Sequence, residues 1–180
     1  MAKLVTAKRL EGEHEKAREY VRTHILFPSS LLGLVCMVAG AGALIYQFVV
    51  DTYSFQAFLA VTLLLLLGGV LGWGQTRYHK YLLREHPEHF AGRMKLYSRS
   101  SLKRPKKDLI SPAVEHKWQN LVPLFYTLGI ATLLGAAMVS WLEGQLDGVV
   151  AFFMPWAGFY WAKTFFWRGV IAPPTRGVKK

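Results

Sequence analysis

Long uncharged apolar blocks alternate along this chain with short stretches that hold its charge. A helix needs about 20 mostly apolar residues to cross the hydrocarbon core of a bilayer. Four blocks reach that length. The first runs from about Pro28 to Val50 and the second from about Tyr53 to Gln75, with Leu63 through Leu67 at its centre. The third runs from about Trp118 to Leu142 and the fourth from about Gly148 to Trp167. The pattern predicts an all-α polytopic membrane protein with four transmembrane helices in two antiparallel hairpins. The expected organisation is a charged N-terminal helix over 1–27, hairpins over 28–76 and 118–167, a basic loop over 77–117 and a basic tail over 168–180.

Shorter features refine these elements. Glu13 with Lys16, Glu15 with Arg18, and Glu19 with Arg22 are spaced three apart, which suits a charged helix over Thr6 to Leu26. Pro28 fits the first turn of the following helix, where its missing N–H costs nothing, so a bend near Phe27 and Pro28 is expected. Past Gln75 the second helix is expected to continue out of the membrane and to break near Pro87. Pro155, near the middle of the fourth block, removes one backbone hydrogen bond and predicts a kink. The charged first 24 residues lack the pattern of a cleavable signal peptide, so the first apolar block is expected to remain as a span.

Charge then orients the spans. Apolar residues make up 52% of the chain, yet its formal net charge is +11. All 22 lysines and arginines lie in the N-terminal segment, in Arg77 to Lys117, or from Lys163 onward. The two intervening turns carry only Asp51, then Glu143 and Asp147. The positive-inside bias therefore places both termini and the basic loop on the cytoplasmic side, in a bacterial inner membrane or, alternatively, on the matrix side of a mitochondrial inner membrane. Lys163 lies just inside the fourth block, where its stem can snorkel to the same surface.

Spans associate in lipid through small residues that let backbones approach. Candidate packing faces are Ala39 and Ala43 in the first block and Gly68 and Gly72 in the second. The third offers Ala131 and Gly135, and the fourth Gly158 and Ala162. The fourth block is also rich in rings, which suits lipid contact or docking against another protein or a flat cofactor.

Candidate chemistry is sparse. Cys36 is alone and sits inside the first block, so no disulfide can form within the chain. No HExxH, Walker loop or GxSxG occurs, and no enzyme is expected. His24, His79 and His116 lie beside three spans, where imidazoles from facing helices could hold a haem b. The Glu85-His86-Pro87-Glu88-His89 run reads as a polar helix end. Arg93, Lys95, Arg99, Lys103, Arg104, Lys106 and Lys107 form a loop free of negative charge, suited to anionic phospholipids or an acidic partner subunit. Its only aromatic residue is Tyr97, so nucleic acid is not expected. The leading expectation is a non-catalytic membrane subunit that stabilises a larger complex with other membrane proteins. The alternatives are a haem- or quinone-associated redox subunit and a small oligomeric transporter or channel for a neutral or lipid-like substrate.

Overall fold

The structure is a computed structural model that describes residues 12, 14–99, 121–144 and 146–171. Among these, all regular structure is helical. Helix α1 spans His14–Val49, α2 Phe55–Glu85, α3 Pro87–Arg99, α4 Val122–Leu142 and α5 Gly148–Ile171. Three of them, α1, α2 and α4, are long and apolar enough to cross a membrane. Helix α5 has 24 residues but carries Pro155, Lys163 and several polar-tipped Trp and Tyr rings, which lower its apolar character.

The element boundaries follow local chemistry. Ser54 caps α2 by accepting from the Ala57 N–H through its hydroxyl at 3.2 Å. Asp147 does the same for α5, its Oδ2 accepting from the Val149 N–H at 3.1 Å. The turn before α2 places Asp51 at φ 63°, a left-handed conformation that Asp tolerates better than most residues. Gly144 ends α4 at φ 68°, where a side chain would be strained. Helix α2 stops at Glu85; His86 leaves helical geometry at φ −133°, ψ 61°, and Pro87 opens α3. A residue preceding proline avoids the α region, which accounts for the break. The threonines within the apolar helices return their hydroxyls to carbonyls three or four residues back, as Thr62 does to Phe58 at 2.8 Å.

At Phe27 and Pro28, where a bend is expected, the winding of the helix changes. The helix runs unbroken from His14 to Val49, but Val21–Leu26 is a π-helix in which the Phe27 N–H donates to the Arg22 carbonyl. In an α-helix the proline ring would press on the carbonyl four residues earlier, that of His24. The wider π turn eases that crowding. Helix α5, likewise, continues through Pro155 without interruption.

Two apolar clusters hold the helices. One, toward the short turns, joins Ala57, Ala60, Val61 and Leu64 of α2 to Val150, Ala151 and Met154 of α5, with Leu146 closing the end. The other, at the opposite end, packs Ala17, Tyr20 and Val21 of α1 against Leu82, Leu83, Phe90 and Trp167. The charged start of α1 is thus docked on the ends of α2, α3 and α5.

Between the clusters α2 and α5 lie parallel in backbone contact. A Cβ placed on Gly68 would fall 1.9 Å from the Pro155 carbonyl oxygen, one on Gly72 2.3 Å from that of Phe159, and one on Gly158 2.2 Å from that of Leu65. Helix α1 joins α5 through Gly33, close to Tyr160, and Gly40, close to Met154. Gly68→Ala should therefore destabilise the fold by about 1–3 kcal/mol, because a backbone carbonyl cannot step aside. Gly69→Ala, which meets open space, should be neutral or stabilise by up to about 1 kcal/mol. Denaturant titration in detergent micelles checks both.

Candidate functional site

A concavity lies where α4 stands away from the α2–α5 pair. It is a groove of about 640 Å³, open along one side, bounded by all three helices. Its walls are unlike at the two ends. Val70, Leu71, Ile130, Leu133 and Trp156 make the end toward the short turns apolar. Gln75, Tyr78, Tyr126 and Lys163 bring polar groups together at the end near the α2–α3 junction.

These polar groups are positioned by helix register. Gln75 and His79 are four apart on α2 and so share a face. His79 Nε2 and the Tyr126 hydroxyl are hydrogen-bonded at 2.9 Å, tying α2 to α4 across the groove's end. The Gln75 amide also reaches Tyr126, while its Oε1 is buried with no hydrogen-bond partner. Lys163 is half-buried, with its ammonium 5.7 Å from the centre of the Phe159 ring. Among the described residues no carboxylate pairs with it. Its side chain lines the groove.

The residues singled out from sequence fall into several surroundings. Gly68, Gly72, Gly158 and Ala162 are buried between helices, and Ala39 and Ala43 are partly buried beside Gly40. Ala131 and Gly135 are exposed; α4 turns Leu133 and Ala137 inward instead. A small-residue row makes a close face only where it is turned toward a neighbouring helix, and this one is not. Arg93 is exposed on α3, which also carries Lys95 and Arg99. Lys103, Arg104, Lys106, Lys107 and His116 lie outside the described residues.

The histidines take part in ring packing. His24, exposed, stacks on Tyr20 with centroids 4.9 Å apart and bonds Thr23 Oγ1 through Nδ1 at 2.8 Å. Tyr20 meets Phe90 at 5.9 Å, and Phe90 meets His79 at 6.3 Å. His24 and His79 therefore sit at the two ends of a row of rings, not opposite each other across a gap. Among the described residues no three His, Cys, Asp or Glu side chains gather as a metal site.

The aromatic residues of α5 divide three ways. Phe152, Trp161 and Phe165 face outward, Trp156, Phe159 and Tyr160 line the groove, and Trp167 is fully buried in the cluster at the helix end. The groove residues that sequence reading passed over, Gln75, Tyr126 and Tyr160, share one signal. Tyr126 and Tyr160 sit about two turns inside an apolar block and Gln75 at the end of one, where a polar tip needs a partner or a cavity.

His89 on α3 has its pKa lowered, first by burial and then by the nearby Arg93 and His86. The unfolded chain binds that proton more readily, so stability contributed by this site is present above the ordinary imidazole range and falls as pH drops through it. The expected result is lower protection of the α3 amides at pH 5.5 than at pH 7.5, once each exchange rate is divided by the intrinsic rate at its own pH, with the difference reduced in His89→Gln. Hydrogen exchange followed by mass spectrometry measures it. Comparison of the chain with protein-family models, curated proteins and solved structures finds no match.

Proposed function

We propose that this chain is a non-catalytic, four-span membrane protein that holds a lipid-like molecule in the groove between α2, α4 and α5. The observation that carries the reading is the groove's polarity: one apolar end, one end with converging polar groups, and a volume within the roughly 300–1,000 Å³ of small-molecule sites. An amphiphile satisfies both ends at once.

Support for four spans comes from α5 itself. At 24 residues it is about 36 Å long, enough to cross. It lies parallel to α2 through backbone contact and shares a core with α1 and α2, so a bilayer crossed by those two also surrounds it. With four crossings, the basic segments share the cytoplasmic side of a bacterial inner membrane, or the matrix side of a mitochondrial one.

A second reading makes the chain a stabilising subunit of a larger membrane complex. Helix α4 favours it, since only Leu133 and Ala137 of its 21 residues are buried. Lipid covers such a surface as well as protein does, so the groove carries the first reading further.

Extraction in mild detergent followed by native mass spectrometry tests both. The first reading expects a bound lipid mass on the isolated chain. Gly74 lines the groove and a Cβ there meets open space, so Gly74→Leu should obstruct part of the groove, leave the fold intact and reduce lipid retention about tenfold. Equal retention by the variant would place the lipid elsewhere and sink the groove reading. Stoichiometric copurification of other proteins, with no lipid on the chain, would favour the second.

A further inference from the structure

We infer that the groove selects an anionic phospholipid of the leaflet on the basic side, with its phosphate at Lys163 and one acyl chain along the apolar wall; this rests on the lipid-holding reading above. Three features point to this occupant.

The first is charge. Lys163 reaches into the groove with no carboxylate partner among the described residues, and a cation shielded from water stabilises an anion placed beside it. Arg93 and Lys163 also lie within electrostatic range of His79, so the field at this end is positive. A choline or ethanolamine headgroup would bring a second cation there with no acidic group to receive it. A net-negative headgroup avoids that repulsion.

The second is an unmet acceptor. Gln75 Oε1 is buried without a hydrogen-bond donor at the rim of the same groove. That oxygen is closed off as it stands, so the Gln75 amide must swing toward the groove before a headgroup hydroxyl, as glycerol carries, can supply one.

The third is direction. Lys163 lies eight residues before the end of α5, Tyr126 four residues into α4, and Gln75 ten residues before the end of α2. All three are on the side of the basic segments, while Val70, Leu71, Leu133 and Trp156 continue toward the short turns. A lipid of the basic-side leaflet has this orientation already, with its head toward the basic surface and its tail toward the midplane. It enters by lateral diffusion through the open side, without turning over. That leaflet is also where anionic lipid meets the exposed Arg93.

The test offers the purified, delipidated chain equal amounts of phosphatidylglycerol and phosphatidylcholine of matched acyl length in mixed micelles, and weighs what stays bound. Wild type should retain phosphatidylglycerol about tenfold over phosphatidylcholine, the scale of one charge-assisted hydrogen bond. Lys163→Met, similar in length and apolar, should bring the ratio near unity while still holding lipid. Lys163→Arg should keep the preference. A thermal unfolding curve identifies any variant that fails to fold, and Gln75→Leu, expected to lower the ratio in part, gives an independent reading. A wild-type ratio near one, or a ratio unchanged in Lys163→Met, overturns the headgroup assignment while the groove reading stands. Retention of a free fatty acid, a quinone or a haem in place of phospholipid overturns the assignment also. No lipid on the wild-type chain in either form removes both inferences together.

Discussion

The fold depends on a contact that only glycine permits. Where Gly68 and Gly72 of α2 meet Pro155 and Phe159 of α5, and Gly158 meets Leu65, main chain touches main chain. In lipid there is no hydrophobic drive to bring helices together, because hydrocarbon outside is as apolar as side chains inside. Close approach supplies instead the dispersion contacts that a side-chain-separated pair would lack. Helix α1 then closes on α5 through Gly33 and Gly40, which extend the same principle to a third helix.

That contact also explains why a groove exists. Helix α4 has no glycine pressed against a neighbour's backbone; the Cβ of a residue at Gly129 would be 3.9 Å from a Leu71 methyl, an ordinary separation. Near the short turns Ala136 and Ala137 still let α4 come close. Toward the other end, Tyr126, Phe159 and Tyr160 stand in the gap, and the helices are held apart by the length of their rings. The Tyr126–His79 hydrogen bond ties α2 to α4 at that end. Tight packing on one side of α5 and ring-lined packing on the other leave a groove whose polar groups gather toward the α2–α3 junction.

The helical character of the chain and the places of its breaks were legible in the sequence because they depend on local rules. An apolar run of sufficient length and Pro87 after His86 each act within a few residues. The Gly68–Gly72 pair was legible for a similar reason, since its spacing alone puts both on one face. Ala131 and Gly135 have similar spacing but turn outward, because packing depends on what the opposing helix presents and one helix's sequence does not state that. Lys163 was readable as a residue near a span end, whereas its place in the groove arises from the separation of α4 and α5. The aromatic wealth of α5 was plain, but its division between outer surface, groove and buried Trp167 follows from three-dimensional neighbours.

The π segment of α1 has a meaning in residue count. Ala17 and Val21 face the cluster at one end, and Ser29, Gly33, Cys36 and Gly40 face α5 further along. Positions 17 and 29 are twelve apart, which in a uniform α-helix of 3.6 residues per turn would set them about 120° out of line. Take one residue away and the offset becomes about 20°. The stretch Val21–Leu26 therefore stores a single surplus residue, wound loosely enough that the helix on either side keeps its alignment. Seen this way, α1 is two differently phased stripes spliced into one rod, and the splice lets a charged docking stretch and an apolar packing stretch share one continuous backbone.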